Sequence, residues 1–108
     1  MGRNLQDRGL RDDEIDLMLA NDVREAIVDA RKLFPTFDEL DDVRQEVLVN
    51  MTFNLGAVRL SGFKKFRAAV RAANWALAAR EMLDSKWATQ VGARAQRLAH
   101  AMQFGRFA

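Results

Sequence analysis

The chain has 108 residues, of which 49% are hydrophobic and 30% are charged, and it contains no cysteine. These proportions indicate one globular domain and exclude a disordered chain, a disulfide framework, and any zinc site or catalytic nucleophile built from cysteine. No apolar run approaches the roughly 20 residues of a membrane span, and the first residues lack the apolar stretch of a secretory signal.

The net charge of +2 conceals two halves of opposite sign. Residues 1–54 carry 7 Lys/Arg and 13 Asp/Glu, a net charge of −6, whereas residues 55–108 carry 10 Lys/Arg and 2 Asp/Glu, a net charge of +8. A basic half predicts an anionic partner such as a bacterial wall polymer, nucleic acid or lipid head groups. The alternative is intramolecular, with an acidic helix lying against basic ones.

The N-terminal third predicts an irregular lead-in followed by a long helix. Residues 1–11 are polar and contain two glycines, so the single helical domain is assigned to residues 12–108. Three carboxylates at 12–14 suit the positive end of a helix dipole. Apolar residues then recur at helical spacing as far as Leu33, and Pro35 ends the segment because proline disfavours helical geometry in the residue before it.

A second helix over residues 38–55 is predicted to be the buried centre of the domain. Asp41 is its N-cap candidate, because its side chain can accept from the free backbone N–H groups of the first turn. Gly56 is the C-cap candidate. Apolar residues are dense at 47–55, which is typical of a helix covered on most sides.

The remaining sequence predicts a short third helix, a fourth helix, a brief fifth helical turn and a final helix. The residues that separate or cap them are, in order, Ser61-Gly62, Asn74, Asp84 or Ser85, Gly92 and Gly105. The third helix begins near Phe63, and strand-like alternation is absent. The predicted fold class is therefore all-α, a compact non-parallel bundle of five to seven helices around the central helix.

Several segments carry a family resemblance when they are taken in order. They are Gly2–Leu5, Asp38–Arg44, Asn50–Gly56, Ser61–Phe63, Trp75 with Ala78-Ala79, Ser85–Trp87 and Gly92–Arg97. Together they resemble the helical C-terminal lobe of phage-type lysozymes, which are glycoside hydrolases that cleave peptidoglycan. The resemblance implies a role in cell-wall lysis. It also implies a phage or prophage gene, with synthesis in the cytoplasm of a bacterial host. Any action of the protein would take place at the cell wall.

The resemblance assigns no catalytic residue to this chain. In the family, the catalytic Glu, Asp and Thr precede the matched segments, which begin here at Gly2. The chain is therefore expected to be a truncated lysozyme, inactive alone, that a missing N-terminal lobe supplied in trans would complete. The acidic clusters at 12–16 and 38–42 are assigned to helix starts, where the dipole favours ionised carboxylates. Arg80 and Asp84 have the (i, i+4) spacing of a surface ion pair.

The resemblance also implies a substrate-binding wall made of Asn54, Phe63, Lys86 and Trp87. Amides pair with sugar hydroxyls, and aromatic faces cover the apolar surfaces of sugar rings. Core packing is the alternative for Phe63 and Trp87. Arg94 matches the position that approaches the family's catalytic acid, and without that acid it is expected to be a solvated charge.

No cofactor or metal is expected, because zinc needs three or four ligands and His100 is the single histidine. Two other functions remain open. One is a non-catalytic peptidoglycan-binding module that uses the same wall and the basic half. The other is a basic helical nucleic-acid-binding protein, with phosphate contacts from Arg67, Arg71, Arg94 and Arg97.

Apolar residues near the N-terminus predict self-association. In the family, the long first helix contacts both lobes, so part of its apolar surface would be uncovered in a single lobe. An uncovered apolar patch tends to find a partner. A homodimer is therefore predicted through the surface formed by Leu5, Leu10, Ile15 and Leu17.

Overall fold

A computed structural model of the chain describes residues 20–107, with side chains from Val23 onward. This part contains seven α-helices, one short 3-10 helix and no strand. Their bounds are α1 Ala20–Leu33, the 3-10 helix Phe37–Glu39, α2 Asp42–Leu55, α3 Ala57–Ser61, α4 Lys64–Arg71, α5 Trp75–Leu83, α6 Lys86–Val91 and α7 Ala93–Phe104. The all-α prediction is confirmed for these residues. The predicted lead-in at 1–11, the acidic helix start at 12–16 and the predicted dimer surface lie outside them.

The first described helix, α1, ends where the sequence predicts. Its buried face consists of Val23, Ala26 and Ala30, and the helix stops at Leu33, two residues before Pro35. The chain then turns through Phe34, whose side chain is fully inside the core. The turn therefore anchors the end of α1 while it leads the chain towards the centre of the fold.

The central helix begins later than the sequence predicts. Residues 37–39 form a separate 3-10 helix, and Leu40 adopts extended backbone geometry before α2 begins at Asp42. Asp41 caps α2 as predicted, since its carboxylate accepts from the backbone N–H of Arg44 at 3.1 Å. The predicted continuous helix from residue 38 is therefore wrong at its start, because a competing turn precedes the cap.

Helix α2 is the buried centre of the domain, as predicted. Nine of its 14 residues are buried, including four with polar or charged side chains, Gln45, Glu46, Asn50 and Thr52. Buried polar groups are costly unless they are hydrogen-bonded. Gln45 donates to the carbonyl of Phe37 at 2.9 Å, and Thr52 donates to that of Leu48 within its own helix at 2.7 Å.

The later helices begin and end at the residues that the sequence singled out. Asn74 caps α5 by accepting from the N–H of Leu77, and Ser85 caps α6 by accepting from that of Ala88. Gly56 and Gly105 end α2 and α7 with positive φ angles of 83° and 74°. The sequence does not signal α3, which follows Gly56 directly and is only five residues long.

Two arginines join helix ends that are distant in sequence. Arg67 on α4 donates from Nε and Nη2 to the carbonyl of Leu33 and from Nη1 to that of Ser61. Arg44 on α2 donates from Nε to the carbonyl of Met102 at 2.6 Å and from Nη2 to that of Gln103 at 2.9 Å. The last carbonyls of a helix lack partners within it, so each guanidinium satisfies acceptors that would otherwise need water.

Candidate functional site

A pocket of about 350 Å³ lies between the start of α4 and the end of α5. One side comes from the turn before α4 and its first residues, and the other comes from the end of α5 and the cap of α6. The lining residues are Gly62, Phe63, Lys64, Lys65, Phe66, Glu81, Asp84 and Ser85. Pockets that bind small molecules have volumes of roughly 300–1,000 Å³. This pocket is near the lower limit, so it suits a small ligand or one portion of a larger ligand.

The walls of the pocket carry opposite charges over an aromatic base. Lys64 and Lys65 contribute ammonium groups from α4, whereas Glu81 and Asp84 contribute carboxylates from the facing segment. Phe63 is half-buried, so part of its ring is available to a ligand. The pocket can therefore bind a group that has both acidic and basic functions together with some apolar surface.

The aromatic base is fixed from behind. Phe66 is 1% exposed and its ring meets that of Phe34 edge-on, with centroids 5.8 Å apart and an interplanar angle of 81°. Edge-to-face aromatic pairs add to the free energy of burial. Because Phe34 follows the last residue of α1 and Phe66 belongs to α4, this contact sets the position of the first turn of α4.

The structure separates the four predicted substrate-binding residues. Phe63 lines the pocket, and Lys86 lies beside it as the first residue of α6, next to Ser85. Asn54 is half-buried in the last turn of α2, where its amide nitrogen donates to the carbonyl of Asn50 at 3.0 Å. Trp87 is 2% exposed, so of the two interpretations that the sequence left open, the structure shows core packing.

The arginines singled out from the sequence are placed in different environments. Arg94 lies in the first turn of α7, and Arg71 is exposed at the end of α4. Arg67 directs Nε and both terminal nitrogens to backbone carbonyls, and Arg97 has a buried Nε. Phosphate binding would depend on four arginines. Two of them, Arg67 and Arg97, have guanidinium nitrogens directed into the fold rather than towards a ligand.

Sequence reasoning missed part of the pocket. Lys64 and Lys65 carry no signal that distinguishes them from other surface lysines, and Ser85 is recognisable only as a cap. Glu81 and Asp84 are the two acidic residues of the basic half, residues 55–108. Their separation from other acidic residues is the one feature of the sequence that could have pointed to them as part of a site. The predicted ion pair between Arg80 and Asp84 is not formed in the structure, and Asp84 lines the pocket.

Glu81 and Asp84 are not arranged as a pair of glycosidase carboxylates. Such a pair flanks the scissile bond from two sides, about 5–9.5 Å apart. Here both groups belong to one segment, three residues apart, and therefore project from the same wall. The acidic residues at 38–42 are engaged elsewhere: Asp41 caps α2 and pairs with Arg44, and Asp38 pairs with Arg31 at 2.8 Å.

Metal-ligating side chains are dispersed over the described part of the chain. Between residues 20 and 107, no three His, Cys, Asp or Glu side chains are grouped to hold a metal ion. His100 instead packs against the ring of Phe104, with centroids 4.8 Å apart. None of the described helices combines the length and apolar character that a bilayer span requires.

Comparison with known proteins identifies relatives, although no family model matches the chain. It is 34% identical over 80 residues to probable T4-type lysozyme 2 of Dictyostelium discoideum, covering 74% of this chain and 47% of that protein. It is 30% identical over 69 residues to probable T4-type lysozyme 1 of the same organism, covering 64% of this chain and 41% of that protein. This chain is a relative of the T4-type lysozymes.

The lysozyme relative spans about half the length of the curated relatives that it matches. Its all-α architecture agrees with the helical lobe that the resemblance implied. Two of the segments that carried the resemblance, at 61–63 and 85–87, supply residues to the two sides of the pocket. The α4–α5 pocket is therefore built in part from segments that carry the resemblance, as is a second surface pocket that Gly92, Ala93 and Gln96 line.

Proposed function

We propose that this lysozyme relative is the helical lobe of a peptidoglycan-cleaving glycosidase, and that it holds the wall polymer against the face that contains the α4–α5 pocket. The observation that carries the proposal is the similarity to T4-type lysozymes over 74% of the chain. Fold alone does not establish activity, so the chemistry of the pocket supplies the second line of support.

The pocket suits a polymer made of sugars and short peptides. Peptide branches of peptidoglycan present carboxylates and, in many walls, an ammonium group. Lys64 or Lys65 would pair with a carboxylate of the branch. Glu81 or Asp84 would pair with its ammonium group. The exposed part of Phe63 would cover apolar sugar or peptide surface. Lys86 lies beside the same pocket, and Asn54, at the end of α2, would contact the glycan through its amide oxygen.

Under this proposal, the proton donor for cleavage of the glycosidic bond comes from outside residues 20–107. A general acid must face the glycosidic oxygen and remain protonated near neutral pH. Glu81 and Asp84 share one wall, and Glu46 is 2% exposed within the central helix, where a substrate does not reach it. In the family resembled, the catalytic acid precedes the matched segments, so we propose that the 108-residue chain binds peptidoglycan without hydrolysing it and that a catalytic lobe supplied in trans restores cleavage.

Binding is tested by co-sedimentation of the purified chain with insoluble peptidoglycan stripped of other wall polymers. Phe63→Ala should lower the bound fraction several-fold, because it removes the ring that a ligand can contact. Phe104→Ala is the matched control, since Phe104 is 51% exposed on α7 and lies outside the pocket. Equal binding by both variants and the unsubstituted chain, or recovery of all protein in the supernatant, would refute the proposed function.

Hydrolysis is tested by following reducing-end release from the same peptidoglycan. No release is expected from the chain alone, and Glu81→Gln should leave that baseline unchanged. Release that Glu81→Gln abolishes would show that the pocket carboxylate is catalytic and would overturn the assignment of the proton donor to another segment. Addition of a separately purified N-terminal lobe from a T4-type lysozyme should then raise the rate above that of either piece alone.

A further inference from the structure

A basic segment of the chain adjoins the pocket. Residues 57–80 contain six Lys/Arg and no Asp/Glu, a net charge of +6 in 24 residues. Within this segment, five cations are exposed: Arg80 on α5, and four on α3 and α4, namely Arg59, Lys64, Lys65 and Arg71. We call these four residues the α3–α4 cationic face. None of them takes part in an ion pair among the described residues.

Helix geometry places two of these cations along one side of α4. Lys64, Ala68 and Arg71 follow one another at spacings of four and three residues, which brings them onto one stripe about 10 Å long. Lys65 lies beside the first of them. The opposite side of the helix is occupied by Phe66, Ala69 and Val70, which are all buried. The core therefore holds the helix while its charged stripe faces solvent.

We propose that the α3–α4 cationic face binds a linear phosphodiester polymer of the bacterial wall, of the poly(glycerol phosphate) type. Such a polymer carries one negative charge per repeat and no bases. Cations spaced along a helix can neutralise successive phosphates and release their counterions. Because Lys64 and Lys65 also line the pocket, a bound polymer would lie next to the peptidoglycan strand. The proposal rests on the proposed function only in choosing a wall polymer as the anion.

The face does not have the features that other polyanions require. Binding of single-stranded nucleic acid usually involves a series of exposed aromatic rings on which successive bases stack. Here the stripe of α4 holds Ala68 between its cations, and the half-buried Phe63 beside Lys64 offers one ring. Reading of duplex bases commonly uses Asn or Gln as well as Arg, and residues 64–71 contain neither amide. Insertion into a bilayer surface needs several large apolar side chains on the accessible side. Val58, which is 86% exposed beside Arg59, is a single such residue, and the large apolar residues of α4 are buried.

The test is a fluorescence polarisation titration of the full chain with end-labelled poly(glycerol phosphate) at several salt concentrations. With four cations engaged, the logarithm of the binding constant should fall against the logarithm of salt concentration with a slope of about −3, by analogy with single-stranded nucleic acid. The double substitution Arg59→Gln/Arg71→Gln should weaken binding at least tenfold at low salt and reduce the slope to about −1.5. It avoids the residues that line the pocket.

Arg24→Gln/Lys32→Gln is the matched control, because it removes the same charge from exposed positions on α1 and should leave affinity within twofold. Ala68→Glu provides a second variant that keeps a strong helix former, and it should weaken binding by placing a carboxylate within the stripe. Equal losses in the control pair and the Arg59/Arg71 pair would show attraction by net charge alone and overturn the proposal. A binding constant that does not change with salt concentration would also overturn the proposal. Tighter binding of a single-stranded DNA of equal charge would overturn it as well.

The outcome separates this proposal from the proposed function. Arg59→Gln/Arg71→Gln should leave co-sedimentation with stripped peptidoglycan unchanged, whereas Phe63→Ala should reduce that binding and leave the polymer titration unchanged. Loss of both kinds of binding in both variants would indicate one undivided surface and would refute the assignment of the polymer to the α3–α4 cationic face.

Discussion

Replacement of Arg44 by methionine should destabilise the fold strongly, even though part of this side chain is accessible to solvent. Methionine retains an unbranched apolar stem but removes the guanidinium. In the native structure, that group donates to the carbonyls of Met102 and Gln103 and lies 4.2 Å from the centre of the Trp75 ring. The arginine side chain is 13% exposed, so these interactions are only partly screened by water.

The expected loss is about 4 kcal/mol in the free energy of unfolding, as the sum of three interactions. The partly buried hydrogen bond to Met102 involves a charged donor and contributes about 2 kcal/mol. The more exposed bond to Gln103 and the cation–π contact with Trp75 contribute about 1 kcal/mol each. The ion pair with Asp41 is left out of this sum, because the Asp41 side chain is 42% exposed and such pairs contribute little. The total free energy of unfolding of a domain of this size is about 5–15 kcal/mol, so the expected loss is a large part of it.

Urea denaturation followed by circular dichroism measures this loss. Arg31→Met is the control, since the Arg31 and Asp38 side chains are 40% and 69% exposed. Their ion pair and the longer cation–π contact of Arg31 with Phe37, at 5.9 Å, should together contribute less than about 2 kcal/mol. Arg44→Lys should fall between the two, because lysine keeps the charge but cannot donate to two carbonyls from a planar fork. An Arg44→Met cost no larger than that of Arg31→Met would refute the argument that remote capping stabilises the end of α7.

Two further substitutions test the same reasoning at other helix ends. Arg67→Met should cost about 4 kcal/mol in chemical denaturation, because it leaves two carbonyls, those of Leu33 and Ser61, without their charged donor, at about 2 kcal/mol each. Arg71→Met should cost less than about 0.5 kcal/mol, and similar costs for both would contradict the capping role. Gly105→Ala should cost about 2 kcal/mol, since φ is 74° and the new Cβ would lie 3.1 Å from Nη1 of Arg44. In an Arg44→Met background that cost should fall to about 1 kcal/mol, and an unchanged cost would show that the contact is irrelevant.

Local signals made the helix boundaries predictable. Asp41, Asn74 and Ser85 act on backbone N–H groups three residues ahead, so their capping can be read from a short stretch of sequence. Glycines with positive φ at the ends of α2 and α7 act equally locally. The burial of α2 was predictable for a related reason, since the density of apolar residues at 47–55 is visible without knowledge of the other helices.

Long-range contacts were not predictable from those signals. Arg44 meets Met102 across 58 positions and Arg67 meets Leu33 across 34, and both arginines resemble ordinary surface cations in the sequence. The same limit applies to the pocket, because only the packing of α4 against α5 brings Lys64 and Lys65 opposite Glu81 and Asp84. Trp87 is a milder case, since a tryptophan beside a cap suits a binding wall and a core equally well.

The Arg44 tether also fixes where the C-terminal residues leave the molecule. Arg44, near the start of α2, holds Met102 and Gln103 while its guanidinium lies over the ring of Trp75 at the beginning of α5, so the last turn of α7 is fixed near that end of α5. The pocket lies at the other end of α5, nine residues and about 13 Å along the helix axis. A C-terminal fluorophore or surface anchor would therefore leave the opening between α4 and α5 accessible in immobilised binding experiments.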